Sequence, residues 1–364
     1  MKYLITCTIL LLSLCSCTSD NKEGIPDIIA YPMGLNTPSD SRTYFEPGSD
    51  LTAEVIENSG NRDISVDALE LIRTYDFSQD TQIYKPAYAQ FNDSLIYVFD
   101  NSIQQVRLLS RSGQLLKSIG RKGSGPGEFG AGFDMKVDNS GKIYVSDLNL
   151  SRVSIFNPDG SLNQTVNVKN GQRLALLGSG NFVQTIAAEE NIISLMDSEG
   201  NEIMKLGNFG SAPMLNAALS PELESDGVDQ IFTAFTYAGY IVSYDTDGNK
   251  IFTSTTISQP GEMPHILTIQ NIRTTGADHV ITWDIAYTDD KLFLIGGHRF
   301  SNPDKPDLDE ITHTAIDIYS AKNGVYQTTV LIEGNFENLT ADRNHILIFN
   351  KDLAQMKLFR ISGL

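Results

Sequence analysis

The chain has 364 residues, with 27 Lys and Arg against 45 Asp and Glu and a formal net charge of -18. That balance repels phosphate backbones and anionic headgroups, so nucleic acid is excluded as the expected partner. All three cysteines, Cys7, Cys15 and Cys17, lie in the first seventeen residues, which excludes a disulfide framework in the remainder. The acidic excess suits plain solubility; any ligand it selects would be cationic, a divalent ion included.

In chain order, Met1–Tyr3 is a short positive start, Leu4–Leu14 is an apolar run and small residues follow, the layout of a secretory signal. The run is too short to span a bilayer as a mature helix. Leu14-Cys15-Ser16-Cys17 resembles the bacterial lipobox. The resemblance implies removal of residues 1–16 as signal peptide, acylation of Cys17, and membrane attachment through the lipid anchor only, each buried methylene contributing about 0.8 kcal/mol. Thr18 after that cysteine resembles lipoproteins sorted to the outer membrane, which places the protein in the cell envelope. Residues 17–65 read as the lipidated cysteine and a flexible tether, rich in Ser, Asn, Asp, Gly and Pro. A coil of that length reaches roughly 40 Å. Ile25–Met33 (IPDIIAYPM) is an apolar exception suited to docking.

From residue 66 to 364 a pattern recurs every 40 to 60 residues, the period of a β-propeller. A polar turn precedes an apolar second strand six times: Leu95–Phe99, Ile143–Ser146, Phe182–Ile186, Ile231–Phe235, Leu292–Ile295 and Ile346–Phe349. Outer hairpins give an independent count of five, at Arg111-Ser112-Gly113, Pro158-Asp159-Gly160, Ser198-Glu199-Gly200, Thr246-Asp247-Gly248 and Lys322-Asn323-Gly324, each with the glycine such turns require. The sixth is absent because only three strands remain before Leu364. Leu69–Phe77, ahead of the first full blade, is free to supply the fourth. The expected fold is therefore all-β, a six-bladed β-propeller of four-stranded antiparallel blades, closed by pairing the N-terminal strand with the C-terminal three and so hiding sheet edges. Length beyond compact blades is concentrated in Asn208–Asp229, where Pro213 and Pro221 interrupt a first strand, and in Gly296–His313 of blade five.

Within blade two, GSGPGEF followed by Asp138, Gly141, Ile143, Tyr144, Val145, Asp147, Arg152, Val153, Phe156, Asp159 and Gly160 closely resembles an NHL repeat. With its lipobox, the whole chain resembles the six-bladed propeller lipoproteins of Bacteroidetes. Blades four and five depart most from the NHL pattern.

Propellers usually bind at one mouth of the central channel, on loops between second and third strands and between blades. Arg121 and Lys122 form a basic pair on such a loop, suited to an anion or a carbonyl; its glycines equally serve the crossing between blades, and no Lys-Ser/Thr follows to make a phosphate cradle. Asp147, Asn149 and Arg152 surround the next loop, where the NHL resemblance implies loop stabilisation more often than ligand contact. In blade five His279, Trp283 and His298, with Arg299 beside them, offer imidazoles and an indole, though without the close spacing of a zinc motif. Asp304, Asp307, Asp309 and Glu310 make the following insertion acidic. Asp245–Asn249 has the look of a calcium loop but lacks the spacing and closing glutamate, and reads as turn chemistry. No metal-ligand set, cofactor motif or nucleophile elbow is legible. The expected role is a binding module in the bacterial envelope with a protein or glycan partner, rather than catalysis. The alternatives are a metal-dependent hydrolase or lyase of the lactonase type, using a divalent ion, and a structural adaptor.

Overall fold

A computed structural model describes residues 41–65, 67–77, 83–92, 94–169, 171–186, 191–211, 214–269, 272–301, 311–352 and 354–364; Cys17, the signal peptide, the Ile25–Met33 patch and the acidic residues 304–310 lie outside them. Six four-stranded antiparallel blades follow one another along the chain. Their second strands are the six apolar segments expected, lengthened by a residue or more at Leu95–Asp100, Ile143–Asp147, Gln230–Phe235, Lys291–Ser301 and His345–Asn350. These strands are buried on both faces, because each blade packs between two others, so an uninterrupted apolar run such as Ile346–Phe349 is buried throughout. Outer strands face water on one side and read accordingly: Leu115–Ile119 and Leu162–Asn167 bury little beyond their last apolar residue. The five outer-hairpin glycines all adopt positive φ, from +68° at Gly324 to +91° at Gly113, a conformation that disfavours any side chain.

Leu69–Asp76 pairs antiparallel with Gln355–Ile361, completing blade six as its outer strand. Inner strands neighbour one another in cyclic order, and that of blade six (Asn338–Ala341) meets that of blade one (Pro86–Phe91). Six separate apolar clusters fill the six blade interfaces. Between blades one and two, for example, Phe129 sits edge-on to Phe99 at 5.5 Å and against Phe156 at 5.7 Å.

A polar residue ending the second strand recurs as a clamp on the loop entering its own blade. Asp100 accepts the backbone N–H groups of Tyr84 and Lys85, Asp147 those of Gly130 and Ala131, and Asn350 donates to the carbonyl of Asn335. All three are almost fully buried. These bonds satisfy loop backbone that packing would otherwise strand away from water.

Residues 41–64 depart from the expected tether. Ser41–Tyr44 pairs with His265–Ile269, and with Ile272–Gly276 they form a three-stranded sheet between blades four and five. Phe45 and Leu51 are buried among residues of blades three and four. Val55–Ile56 adds a parallel fifth strand to the edge of blade four. Asn58 bridges the carbonyls of Thr255 and Gly324, and Arg62 forms a two-pronged ion pair with Asp317 at 2.9 and 3.1 Å. A linker-like composition concealed this strap because its few apolar residues, Phe45, Leu51, Val55 and Ile56, follow no regular period and pack against cores supplied by blades three, four and five.

Two further differences concern insertions. Asn208–Asp229 resolves into a short helix, Leu215–Leu219, and an inner strand beginning at Pro221, a position where proline is tolerated. The hairpin His265–Gly276 is a third insertion that the sequence reading did not separate from blade five.

Candidate ligand site at the channel mouth

Blade inner strands line the central channel, and four of them shift register close to the mouth, between Pro86 and Tyr88, Gly132 and Asp134, Gly171 and Leu174, and Thr282 and Asp284. These irregularities interrupt simple alternation on strands that begin in the interblade loops. The channel consequently holds a ring of polar groups: Tyr88, Asp134, Arg173, Glu222, Asp284 and Asn338.

Two of its carboxylates act on backbone. Asp134 accepts the N–H of Met135 and, in the next blade, that of Leu174, both at 2.8 Å. Asp284, at the corresponding place in blade five, accepts from Ile285 and, in blade six, from Leu339, both at 2.9 Å. The same interblade clamp thus occurs on opposite sides of the ring. The other carboxylates face cations: Arg173 donates to Glu222 at 2.6 Å and Lys136 to Glu224 at 2.9 Å.

Burial pushes the Glu222 carboxyl up to about 7 despite Arg173, aided by the charges of Asp284 and Asp134. Burial likewise raises Asp284 and Glu224 and lifts the Tyr88 phenol to about 12. For Lys136, burial opposes the charge, but Glu224, Asp134 and Asp284 outweigh it and hold the ammonium above its ordinary value. A network of this kind is stable only while every member keeps its partner.

Inside the ring the free volume is about 20 Å³, room for one water molecule. Oδ1 of Asn338 accepts no hydrogen bond there, which marks where that water would donate. That volume leaves no room among these residues for a group larger than water. At the mouth, the Arg173 guanidinium stands 5.7 Å from the Tyr88 ring centre and 5.3 Å from that of Phe133. Lys351, in the loop after the second strand of blade six, stands 5.3 Å from the Tyr88 ring. Burial, followed by the charge of Arg173, holds the Lys351 ammonium below its ordinary value. Tyr237, in the corresponding loop of blade four, is raised by burial and by Glu222.

The residues singled out from sequence occupy two other places. Arg121, Lys122, Asp147, Asn149 and Arg152 gather around the loop between blades one and two. Arg152 donates to the carbonyls of Gly125 at 2.7 Å and Glu128 at 2.6 Å, Arg121 pairs with Glu128 at 2.6 Å, Lys122 bridges to Phe129, and Asn149 is exposed. Asp147 and Arg152 therefore hold this loop. Trp283 packs against the core between blades five and six, while the exposed His279 contacts Glu262 at 2.9 Å. His298 and Arg299 fall on the extended second strand of blade five, and their side chains lie outside the described residues. Asp245 accepts the N–H groups of Asp247 and Asn249, an ordinary hairpin turn. Among the described residues, no three His, Cys, Asp or Glu side chains are grouped to hold a metal. A wider cleft of about 430 Å³ lies where Asp63–Ser65 cross blade five, but Thr328 there already bonds the Asp63 carbonyl.

Sequence reasoning passed over the channel charges. Their signal was Arg173, Glu222, Glu224 and Asp284 standing on short inner strands, where an apolar residue would be expected.

A family described as a 6-bladed beta-propeller, DUF5128, matches residues 77–183, which span blades one and two and enter blade three. No curated protein matches the chain. Among solved structures, a member of the DUF4221 family from Bacteroides vulgatus is 13% identical, with 82% of this chain and 100% of that one covered and a TM-score of 0.56. A protein of Bacteroides fragilis described as exported is 12% identical over 85% and 99%, with a TM-score of 0.53. The virginiamycin B lyase of Staphylococcus aureus is 9% identical over 81% and 100%, with a TM-score of 0.50. Identities this low carry the fold alone, and one fold serves both lyase and exported protein.

Proposed function

We propose that this β-propeller is an exported lipoprotein, anchored through Cys17 at the outer membrane of a bacterial envelope, that binds a protein or glycan ligand at the mouth of its channel. The observation carrying this reading is the contrast between channel and mouth. Within the channel, Asp134, Asp284, Lys136 and Glu224 are engaged with backbone or with each other. At the mouth, Lys351 and Arg173 stand beside the rings of Tyr88 and Phe133, a surface of rigid aromatic and charged anchors suited to recognition.

A lactonase-type enzyme would need several metal-ligating side chains converging on the channel, whereas its carboxylates already accept backbone hydrogen bonds or pair with cations. Export is supported by the three-part layout of residues 1–17, and one Bacteroides neighbour is itself described as exported. Among the described residues, no helix is long and apolar enough to cross a membrane.

Metal analysis and a thermal-shift screen against divalent ions and envelope glycans test the binding reading. Stabilisation by a glycan that is lost in Tyr88→Ala supports it. A stoichiometric metal with a large shift would put the enzyme reading ahead. For the anchor, Cys17→Ala is expected to release a folded protein from the membrane fraction, and continued membrane association would refute it.

A further inference from the structure

The first strand of the strap lies on the mouth side of blades four and five. Ser41–Tyr44 pairs with His265–Ile269, Tyr44 standing opposite His265. Just past that hairpin, the N–H of Ile281 donates to the carbonyl of Thr236, next to Tyr237, at 2.7 Å. One carboxylate fixes the strand: Asp278 accepts from Arg42 Nη1 at 2.6 Å and from the Tyr44 phenol at 2.8 Å.

Against that strand sits a buried imidazole. The His265 side chain is 2% exposed, and the Tyr44 ring covers it edge-on at 5.2 Å. Gly276, its partner across the hairpin, leaves it room, since a Cβ there would meet Nε2 at 2.7 Å. Among the described residues Nδ1 has no hydrogen-bond partner, and it stands 4.0 Å from Oδ2 of Asp278. Burial, followed by the charge of Arg42, holds the imidazole below its ordinary value against the pull of Asp278. The other titratable groups nearby, His279 and Glu262, pair with each other at 2.9 Å. A neutral ring is tolerated in this setting. An imidazolium would be a buried cation facing Arg42, beside a carboxylate already engaged in holding the strand. Undocking Ser41–Tyr44 takes away the Tyr44 cover and the Arg42 charge together and leaves Asp278 free to pair with the ring.

We infer that His265 and Asp278 form an acid-sensitive latch: protonation of the imidazole draws Asp278 away from Arg42 and Tyr44, and Ser41–Tyr44 leaves the mouth side with the edge of His265–Ile269 open behind it. The released state binds the extra proton, so the strand stays docked above the ordinary histidine value of about 6.5 and is released as pH falls through it. Release stops at Phe45, which is buried in the core of blades three and four. Asp278 does not titrate in that window; burial opposes its charge, but Tyr44 and then Arg42 outweigh burial and hold the carboxyl below its ordinary value. Glu222 acts with the opposite sign on the blades, so protonating it does not loosen them.

The test is amide hydrogen exchange of the full chain on either side of the histidine range, at about pH 7.5 and about pH 5, corrected for the intrinsic effect of pH. Exchange in Ser41–Tyr44 and His265–Ile269 is expected to rise about tenfold or more in acid, while Ile143–Asp147 of blade two stays protected. His265→Gln removes the titration and should keep the strand docked at both pH values, whereas His279→Gln should leave the response in place. Should His265→Gln fail to fold, NMR of the unaltered protein decides: the His265 ring must titrate below about 6.5, and the Tyr44 ring signals must move with the same midpoint. Exchange that acid leaves unchanged, a response that survives His265→Gln or vanishes in His279→Gln, or Tyr44 signals that ignore the His265 titration would overturn the inference. An equal rise in every blade would assign the change to global unfolding and overturn it as well.

Discussion

Blades one and two are built almost wholly from their own residues, whereas blades four and five are held by segments from elsewhere in the chain. In the first arc, Asp100 and Asp147 each clamp the loop leading into their own blade, and Arg152 closes the loop just ahead of it. In the second arc, Asp50 accepts from Tyr244 and from the backbone of Asn208, Asn58 ties blade four to the hairpin of blade five, and Arg62 reaches Asp317. The two arcs share strand physics and differ in where their loops find partners. A repeat that satisfies itself shows a motif; a repeat satisfied by a distant strap is free to lose it. The recurring sequence pattern is accordingly plainest in blade two and weakest in blades four and five.

The largest effect is expected where both arcs depend on one strand. Deleting Leu69–Asp76 removes the outer strand of blade six and the packing of Tyr75 in the core shared with blade one. The chain should then lose its cooperative unfolding transition and self-associate through the open edge; an unchanged melting curve would show that closure is dispensable.

Next come the strap contacts. Arg62→Ala leaves Asp317, with a side chain 2% exposed, as an uncompensated buried charge, a loss of about 3 kcal/mol or more. Leu51→Ala empties a site that is 1% exposed and should cost about 3 kcal/mol. Urea denaturation measures both, and a midpoint shift close to zero for either would mean that the strap lies on the blades without stabilising them.

A smaller effect is expected from the channel. Because Glu222 is raised to about 7 from about 4.3 in an unfolded chain, the native state keeps a proton that the unfolded state has released across that window. Its contribution therefore makes stability fall as pH rises from about 4.3 to 7, and flatten above. A carboxyl carbon resonance titrating near neutrality, absent in Glu222→Gln, is the check; titration of every glutamate below pH 5 would contradict it. Smallest of all is Arg121→Ala in the first arc: its side chain is 77% exposed, so the denaturation midpoint should not move.

Much of the framework was legible in the sequence because its signals are local. A strand buried on both faces is mostly apolar, as Leu95–Phe99 and Ile346–Phe349 are, and a hairpin that needs positive φ selects Gly113 or Gly248. The strap was not legible, because Phe45, Leu51, Asn58 and Arg62 satisfy no period of their own; each answers to a pocket or a charge supplied by another blade. The candidate site was half legible. Arg121 and Arg152, read from their loop, have roles within that loop, while Arg173 and Lys351, 178 positions apart in number, meet only over Tyr88.

The sequence by itself determined the blade count, the strand order and the closing strand, since alternation, burial and turn geometry act within a few residues. Only the tertiary structure decided which charges share the channel and which of them burial and neighbouring charge hold away from their ordinary values. Coulomb energy depends on distance and burial, and both are set by ring closure rather than by position along the chain.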